Sequence, residues 1–147
     1  MYRIREITQN KKFYLDFLIS ADPDEGMIDR YLEQGYMYVL EVDGNVVSEA
    51  VILPLSDTAC ELKNLATKED YQGRGYATAL IGYLMQRYSR KYDYMYVGTS
   101  DSGVSFYQRS GFVLDHVVKD FFVKNYSEPI FENGRQCIDM IYLKRNL

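Results

Sequence analysis

Apolar and polar residues alternate along seven short stretches of the chain, and this period of two predicts β-strands. The stretches are YRIREI near the N-terminus, YMYVLEV, VVSEAVILPL and ACELKNLAT in the middle, and YMYVGT, FVLDHVV and CIDMIYL in the second half. Asp43, Gly44 and Asn45 separate the first two middle strands, and Ser56 and Asp57 separate the next two. Such short polar turns favour hairpins, so the middle of the chain is predicted to form an antiparallel meander.

Helical spacing of apolar residues appears between these strands and predicts about four helices. FYLDFLIS follows the first strand, and residues 27–32 follow the breaker ADPDEG. A third helix is the most regular, with apolar residues at i, i+3, i+4, i+7 and i+11: Ala77, Leu80, Ile81, Leu84 and Tyr88. SDSGVSFYQRSG begins with capping residues and ends with glycine, as a short helix does. Residues 124–136, with Pro129 and Gly134, are predicted to be a long surface connection.

Composition limits how these elements are organised. The chain has 147 residues, of which 47% are hydrophobic and 26% charged, which fits one globular domain over residues 1–147. No apolar run reaches the roughly 20 residues that a membrane span needs, and MYRIREITQNKK lacks the apolar segment of a secretory signal. We therefore expect a cytoplasmic protein that does not act at a membrane.

Net charge and cysteine content indicate whether nucleic acid, a disulfide framework or a metal ion is expected. A net charge of −4 and a pI near 5.0 argue against nucleic-acid binding, which favours clustered Lys and Arg. Cys60 and Cys137 lie far apart without a CxxC or a Cys/His cluster, so the sequence predicts two buried thiols, no disulfide framework and no metal site.

The stretch EDYQGRGYATAL, residues 69–80, places two glycines just before the most regular helix. Glycine is unfavourable in a helix, so Gly73 and Gly75 indicate a loop with a special backbone conformation or close contact with a ligand. Backbone N–H groups of residues 73–78 at a helix N-terminus can bind an anion, and Arg74 can add positive charge. An ordinary turn before a core helix is the alternative.

The predicted order β-α-α-β-β-β-α-β-α-β-β, with a Q-x-x-G-x-A loop, resembles the GCN5-related N-acetyltransferase (GNAT) superfamily. Gln72, Gly75 and Ala77 match the signature of that loop. The stretch VGTSDSGVSFYQRSGF is similar to the family's next strand and helix, including Tyr107 within a Tyr-x-x-x-Gly-Phe motif. It departs from the family at Ser100, where asparagine is frequent. The resemblance implies an α/β (α+β) GNAT fold: a mixed, mostly antiparallel seven-stranded sheet flanked by about four helices.

The same resemblance implies acetyl-CoA as co-substrate and assigns residues to it. The pyrophosphate is expected at the glycine loop, and the pantetheine arm is expected beside the fourth strand, much like an added β-strand. The implied cofactor-binding residues are Leu65, Ala66, Thr67, Gln72, Gly73, Arg74, Gly75, Tyr76, Ala77, Thr78, Ser100, Phe106 and Tyr107.

Two residues are candidates for the chemistry. Tyr107 stands where the family commonly keeps a general acid near the coenzyme sulfur, although it is also suited to core packing. Glu61 lies eleven residues before Gln72, the spacing of the glutamate base in some relatives. A partly buried carboxylate has a raised pKa and can accept a proton near neutral pH. A solvated strand glutamate is the alternative. His116 is expected to be solvent-facing or structural rather than a base.

These observations predict an N-acetyltransferase that moves an acetyl group to a primary amine of a small molecule or peptide by direct attack in a ternary complex. A GNAT-fold module that binds acyl-CoA without turnover is the alternative. A nucleotide-binding protein is disfavoured because the loop lacks the Lys-Ser/Thr ending of a P-loop. The family implies a possible homodimer. Acidic residues near the second helix either favour cationic acceptors or form a solvated charge run: Asp22, Asp24, Glu25 and Asp29.

Overall fold

The computed structural model describes residues 1–147 and contains nine strands and five α-helices. In chain order they are β1 Tyr2–Ile7, α1 Leu15–Ala21, α2 Glu25–Asp29, β2 Tyr36–Val42, β3 Asn45–Pro54, β4 Ala59–Thr67, α3 Tyr76–Tyr88, β5 Tyr94–Thr99, α4 Val104–Arg109, β6 Val113–Val118, α5 Phe121–Asn125, β7 Phe131–Glu132, β8 Arg135–Gln136 and β9 Met140–Asn146. Single 3₁₀ turns cover Lys11–Tyr14, Glu69–Tyr71 and Asp101–Gly103.

Seven strands form one sheet in the order β1-β2-β3-β4-β5-β9-β6. All neighbouring strands are antiparallel except β4 and β5, which are parallel because α3 crosses between them. The predicted mixed, mostly antiparallel sheet and its meander β2-β3-β4 are therefore confirmed. The strands β7 and β8 form a separate two-stranded hairpin.

Two apolar clusters pack on the sheet. The larger has 16 buried residues and includes four of the five periodic positions of α3: Leu80, Ile81, Leu84 and Tyr88. The smaller has 8 buried residues and joins α1 and α2 to the meander through Leu18, Ile28 and Met37, among others. Full burial of one such aliphatic side chain contributes about 1.5–3 kcal/mol, so the clusters fix both helix layers against the meander.

The strands β4 and β5 separate partway along their length, and this separation creates the central gap of the molecule. They pair only from Ala59 to Leu62 on β4, opposite Tyr94 to Val97 on β5. Beyond that point β4 continues to Thr67 beside β3, while β5 continues beside β9. The divergence leaves backbone groups along one edge of β4 without a strand partner.

The C-terminal third differs from the prediction. The connection at residues 124–136 contains the end of α5 and the β7–β8 hairpin, and the last strand begins at Met140 rather than at Cys137. Backbone hydrogen bonds explain the shift, because Cys137 N donates to Ile130 O at 2.7 Å and Phe122 N donates to Ile138 O at 3.0 Å. Residues 137 and 138 thus anchor the connection instead of extending the sheet.

Two further observations concern the whole chain. Cys60 and Cys137 are both free and buried, as predicted. None of the helices has the length and hydropathy that crossing a membrane would require.

Candidate active site

A cavity of about 1120 Å³ follows the gap between β4 and β5. Its two halves have different linings. The glycine-loop half is lined by the ends of β4 and β5, the loop before α3 with the first turn of α3, and the turn before α4 with part of α4: residues 65–67, 72–73, 75–78, 97–100, 102–103 and 106–107. The aromatic half is lined by the end of α1 and the turn after it, α2 and the residues after it, the middle of β4, α5 with the segment after it, and one residue each of β3 and β9. These are residues 20–23, 27, 30–31, 53, 61, 63–64, 121–122, 125–126, 130 and 140.

Both glycines of the glycine loop adopt a left-handed backbone. Their φ angles are +74° at Gly73 and +87° at Gly75, a region that L side chains rarely adopt. A Cβ atom at either position would meet nothing within 4 Å. The glycines are therefore required by the path of the backbone and leave the loop surface open toward the cavity. Gln72 Nε2 donates to Thr67 O at 3.1 Å and ties the loop to the end of β4.

The N-terminus of α3 forms the rim of this loop. Gly75 is the N-cap and offers no side-chain cap, and the first intrahelical bond is Ala79 N to Gly75 O at 2.9 Å. The N–H groups of Tyr76, Ala77 and Thr78 therefore have no helical acceptor, and these residues line the cavity. Unpaired N–H groups at the positive end of a helix dipole attract an anion such as pyrophosphate.

Arg74 is the one member of residues 72–78 that does not line the cavity. Its guanidinium lies over the Tyr71 ring, 5.1 Å from the centroid. The other residues predicted to contact the cofactor do line the cavity: Leu65, Ala66, Thr67, Ser100, Phe106 and Tyr107. Ser100 Oγ donates to Glu132 Oε1, so this hydroxyl already has a partner in the β7–β8 hairpin.

Tyr107 reaches the cavity from α4. Its ring packs edge-on against Phe106 and Phe112, with centroids 5.1 and 5.8 Å apart. Burial raises the pKa of the Tyr107 phenol. The phenol is therefore protonated at neutral pH and is able to donate a hydrogen bond or a proton.

Glu61 lies on β4 where this strand begins to leave β5. Only 7% of the residue is exposed, yet it lines the cavity, so it is not a solvated strand glutamate. Burial raises the pKa of the Glu61 carboxyl, and the Lys63 ammonium, 3.5 Å away, opposes that rise. A carboxylate with a raised pKa binds a proton more readily than one in water does.

The carboxylate of Asp22 is fixed in the wall of the aromatic half by two tyrosines from different elements. Tyr126 OH donates to Asp22 Oδ1 at 2.8 Å, and Tyr31 OH donates to Asp22 Oδ2 at 3.1 Å. Asn64 Nδ2 in turn donates to Tyr31 OH at 3.0 Å and to Leu18 O at 3.1 Å. This network links α1, the segment after α2, β4 and the residue after α5.

The acidic residues near α2 have separate roles. Asp24 is the N-cap of α2, where its Oδ1 accepts from Met27 N at 3.2 Å. Glu25 and Asp29 form ion pairs with Lys12 Nζ at 2.7 and 2.6 Å. Of the four acidic residues, only Asp22 lines the cavity.

Sequence reasoning missed Glu49 on β3. This residue is fully buried, and neither carboxyl oxygen makes a hydrogen bond within the chain. Burial raises the pKa of Glu49 well above its ordinary value. A charge inside the apolar run VVSEAVIL was the available signal, because an isolated buried carboxylate is too costly to remain ionised.

His116 has a partner that the sequence did not indicate. Its Nδ1 lies 2.6 Å from Asp115 Oδ2, and its ring stacks on Tyr142 with centroids 4.7 Å apart. The residue is exposed and does not line the cavity, which agrees with the expectation of a solvent-facing or structural histidine.

The comparisons with known proteins identify the family. A family model described as an acetyltransferase (GNAT) domain matches residues 33–114, more than half of the chain. The chain belongs to the GNAT family of acetyltransferases. It is 34% identical over 142 residues to the uncharacterized N-acetyltransferase YvbK of Bacillus subtilis (strain 168), covering 94% of this chain and 91% of that protein.

Two similar solved structures contain acetyl-CoA or CoA. A GNAT family acetyltransferase from Elizabethkingia anophelis with acetyl-CoA bound superposes with a TM-score of 0.94, at 32% identity, over 99% of this chain and 98% of that one. A Bacillus subtilis acetyltransferase in complex with CoA gives a TM-score of 0.92 at 31% identity, over 100% and 99% of the two chains. Acetyl-CoA, the acyl donor of the family, is the co-substrate of this GNAT chain.

The cavity of the GNAT chain fits that co-substrate. The open loop at Gly73 and Gly75 and the uncapped α3 N-terminus suit a pyrophosphate, and the unpaired edge of β4 suits an amide-bearing arm. No group of three or more His, Cys, Asp or Glu side chains is arranged to hold a metal ion.

Proposed function

We propose that this GNAT chain transfers the acetyl group of acetyl-CoA to a primary amine of a small molecule or peptide, by direct attack in a ternary complex. One observation carries the proposal: Glu61 and Tyr107, one candidate base and one candidate acid, line the same cavity. Fold alone would not support a reaction.

Glu61 is the proposed general base. Most alkylamines are protonated at neutral pH, and only the neutral amine is a nucleophile, so a proton has to leave before attack. The buried Glu61 carboxylate accepts that proton directly or through one water molecule, and the nearby Lys63 ammonium favours its ionised form.

Tyr107 is the proposed general acid. Bound acetyl-CoA supplies a thioester, and formation of the amide bond breaks its carbon–sulfur bond with release of a thiolate. The Tyr107 phenol donates a hydrogen bond or its proton to the sulfur, while the packed rings of Phe106 and Phe112 hold it in place.

We also propose the predicted contacts with acetyl-CoA: backbone N–H groups of residues 73–78 for the pyrophosphate, and residues 65–67 for the pantetheine arm. Two free, buried thiols suit a reducing compartment, which supports a cytoplasmic location.

The test is a panel of primary amines incubated with acetyl-CoA and the purified protein. Release of free CoA is followed with a thiol reagent, and the acetylated product is identified by mass spectrometry. We expect amine-dependent CoA release. Binding of acetyl-CoA without release for any amine would instead favour a regulatory module without turnover.

A further inference from the structure

The segment after β6 contributes a wall of three aromatic rings to the cavity. Phe121, Phe122 and Tyr126 lie on or directly after α5, and their ring centroids are 5.4 to 6.4 Å apart. All three line the aromatic half and are only half-buried. Partly exposed aromatic rings that face a cavity present flat apolar surface to a ligand.

Backbone and side-chain hydrogen bonds form this wall before any ligand arrives. Phe122 N donates to Ile138 O at 3.0 Å, and Lys124 N donates to Asp120 O at 2.9 Å. Asn125 Nδ2 donates to Phe121 O at 2.8 Å, and Tyr126 is held by its bond to Asp22. The rings are therefore preorganised, which lowers the entropic cost of binding a rigid partner.

Apolar and polar side chains share the remaining lining of the aromatic half. The apolar members are Ala21, Pro23, Met27, Leu53, Ile130 and Met140. Polar side chains supply the rest, among them Arg30, Lys63 and Asn64, so a ligand gains apolar contact here mainly from the three rings and the six apolar side chains.

Charge in this half suits a single ammonium group. Asp22 is fixed by two phenols, whereas Glu61 is paired with Lys63. Other carboxylates near α2 are engaged with Lys12 or with the helix N-terminus. Two cationic side chains, Arg30 and Lys63, line the same half and offset its two carboxylates. A polyamine would therefore meet no excess of negative charge, whereas an amine with one charge needs only Asp22 on entry and Glu61 for the reaction.

We propose that the acceptor is an arylalkylamine, meaning a primary amine joined by a short alkyl chain to a flat aromatic ring. The inference rests on the proposed function and deepens it. The ring of the acceptor stacks in the aromatic half against Phe122 and its neighbours, while the amine passes Asp22 and reaches Glu61. Rings and a carboxylate together favour a cation attached to an apolar body.

The experiment compares acceptors by kcat/KM with acetyl-CoA saturating. Phenethylamine and tryptamine represent the class; n-hexylamine, spermidine, kanamycin, phenylalanine and a lysine-containing peptide are the competitors. We expect the two arylalkylamines to exceed every competitor by about tenfold or more, which corresponds to roughly 1.4 kcal/mol of selective binding.

A matched pair of variants tests the wall itself. Phe122→Leu keeps an apolar side chain but removes the ring, and should raise the KM of phenethylamine about three- to tenfold while the KM of n-hexylamine and of acetyl-CoA changes little. Phe13→Leu, at a residue that is 82% exposed and outside the cavity, should change neither. A purely structural role of Phe122 would affect both amines equally, and that result would overturn the inference.

The possible results distinguish a wrong acceptor class from a wrong proposed function. Highest kcat/KM with n-hexylamine, spermidine, kanamycin, phenylalanine or the peptide would overturn the arylalkylamine class and leave N-acetyl transfer standing. Absence of CoA release with every amine, despite binding of acetyl-CoA, would overturn the proposed function and this inference with it.

Discussion

The two halves of the cavity are built in opposite ways. The glycine-loop half takes most of its proposed anion-binding groups from one short run of backbone, residues 72–78, whose conformation is set by two glycines and a helix start. The aromatic half collects side chains from α1, the α1–α2 turn, β4, α5 and the segments around them, between residues 20 and 140. A local backbone site is suited to a constant ligand, whereas an assembled side-chain site can change its ligand with few substitutions.

Glu61 lies where the halves meet, so its loss should have the largest effect. Glu61→Gln keeps shape but removes the base, and kcat/KM for the amine should fall on the order of 10²-fold or more at pH 7. Because burial raises the pKa of Glu61, wild-type kcat/KM should rise with pH as the carboxylate forms. The deficit should shrink at higher pH, where free amine is available. Glu33→Gln, at an exposed residue, is the control, and near-wild-type rates from pH 6 to 9 would exclude Glu61 as base.

Gly75→Val should damage the glycine-loop half alone. At φ +87° a β-branched residue is strained, so the loop should shift and lose the N–H groups that bind acetyl-CoA. Wild type at 100-fold excess over Kd should gain about 2.7 kcal/mol of stability, seen as a higher Tm, and the variant should lose that gain. Gly82→Ala within α3, where a Cβ also meets nothing within 4 Å, should keep it. A variant that retained the Tm gain would show that the backbone of this loop does not bind the coenzyme.

Tyr107→Phe should separate chemistry from binding. The phenol would act mainly in the transition state, so kcat should fall about tenfold or more while the KM for acetyl-CoA stays nearly constant. Phe106 and Phe112 contact the ring rather than the hydroxyl, so packing should survive. An unchanged kcat would return Tyr107 to a packing role and assign the leaving thiolate to another donor.

Asp22→Asn should affect the aromatic half alone. Its amide keeps hydrogen-bonding capacity but removes the charge, so the KM of cationic amines should rise roughly three- to tenfold, while the KM for acetyl-CoA is unchanged. Asp29→Asn, on the same side of the molecule but paired with Lys12, is the matched control. Equal effects of both variants would indicate long-range electrostatic attraction by the acidic residues near α2 rather than a contact between the amine and Asp22 in the cavity.

Glu49→Gln should have the smallest effect and report on pH-dependent stability. Burial raises the folded-state pKa of Glu49 above 4.5, so the folded chain holds this proton more tightly than the unfolded chain does. The stabilisation that comes from this tighter proton binding is complete below about pH 4.5, and it is lost as pH rises through the raised pKa of folded Glu49. The variant, neutral throughout, should therefore gain in free energy of unfolding relative to wild type between pH 5 and pH 8. Urea unfolding curves of both proteins at pH 5 and pH 8 measure the difference in their free energies of unfolding. The same difference at both pH values would show that Glu49 is ionised when folded.

Local patterns in the sequence determined the strands, the meander and the glycine loop. Alternation and helical spacing depend on near neighbours, and a left-handed backbone at Gly73 and Gly75 is a local property of glycine. Six of the seven residues from Gln72 to Thr78 line the cavity, whereas the guanidinium of Arg74 lies over the Tyr71 ring. The sequence left two alternatives for Glu61, a partly buried carboxylate with a raised pKa and a solvated one, and its burial in the fold agrees with the first.

Only the tertiary structure shows which residues come together in the aromatic half. The bond between Tyr126 and Asp22 joins residues 104 positions apart, and no periodic pattern records such a pair. Nor did the sequence show that Lys12 neutralises Glu25 and Asp29, which leaves Asp22 as the acidic residue of that region in the cavity. The start of the last strand was misplaced because Cys137 and Ile138 hydrogen-bond to the connection before them. Long-range contacts of this kind depend on how the elements pack. Local sequence patterns therefore predict the glycine loop, whereas the lining of the aromatic half is known only from the fold.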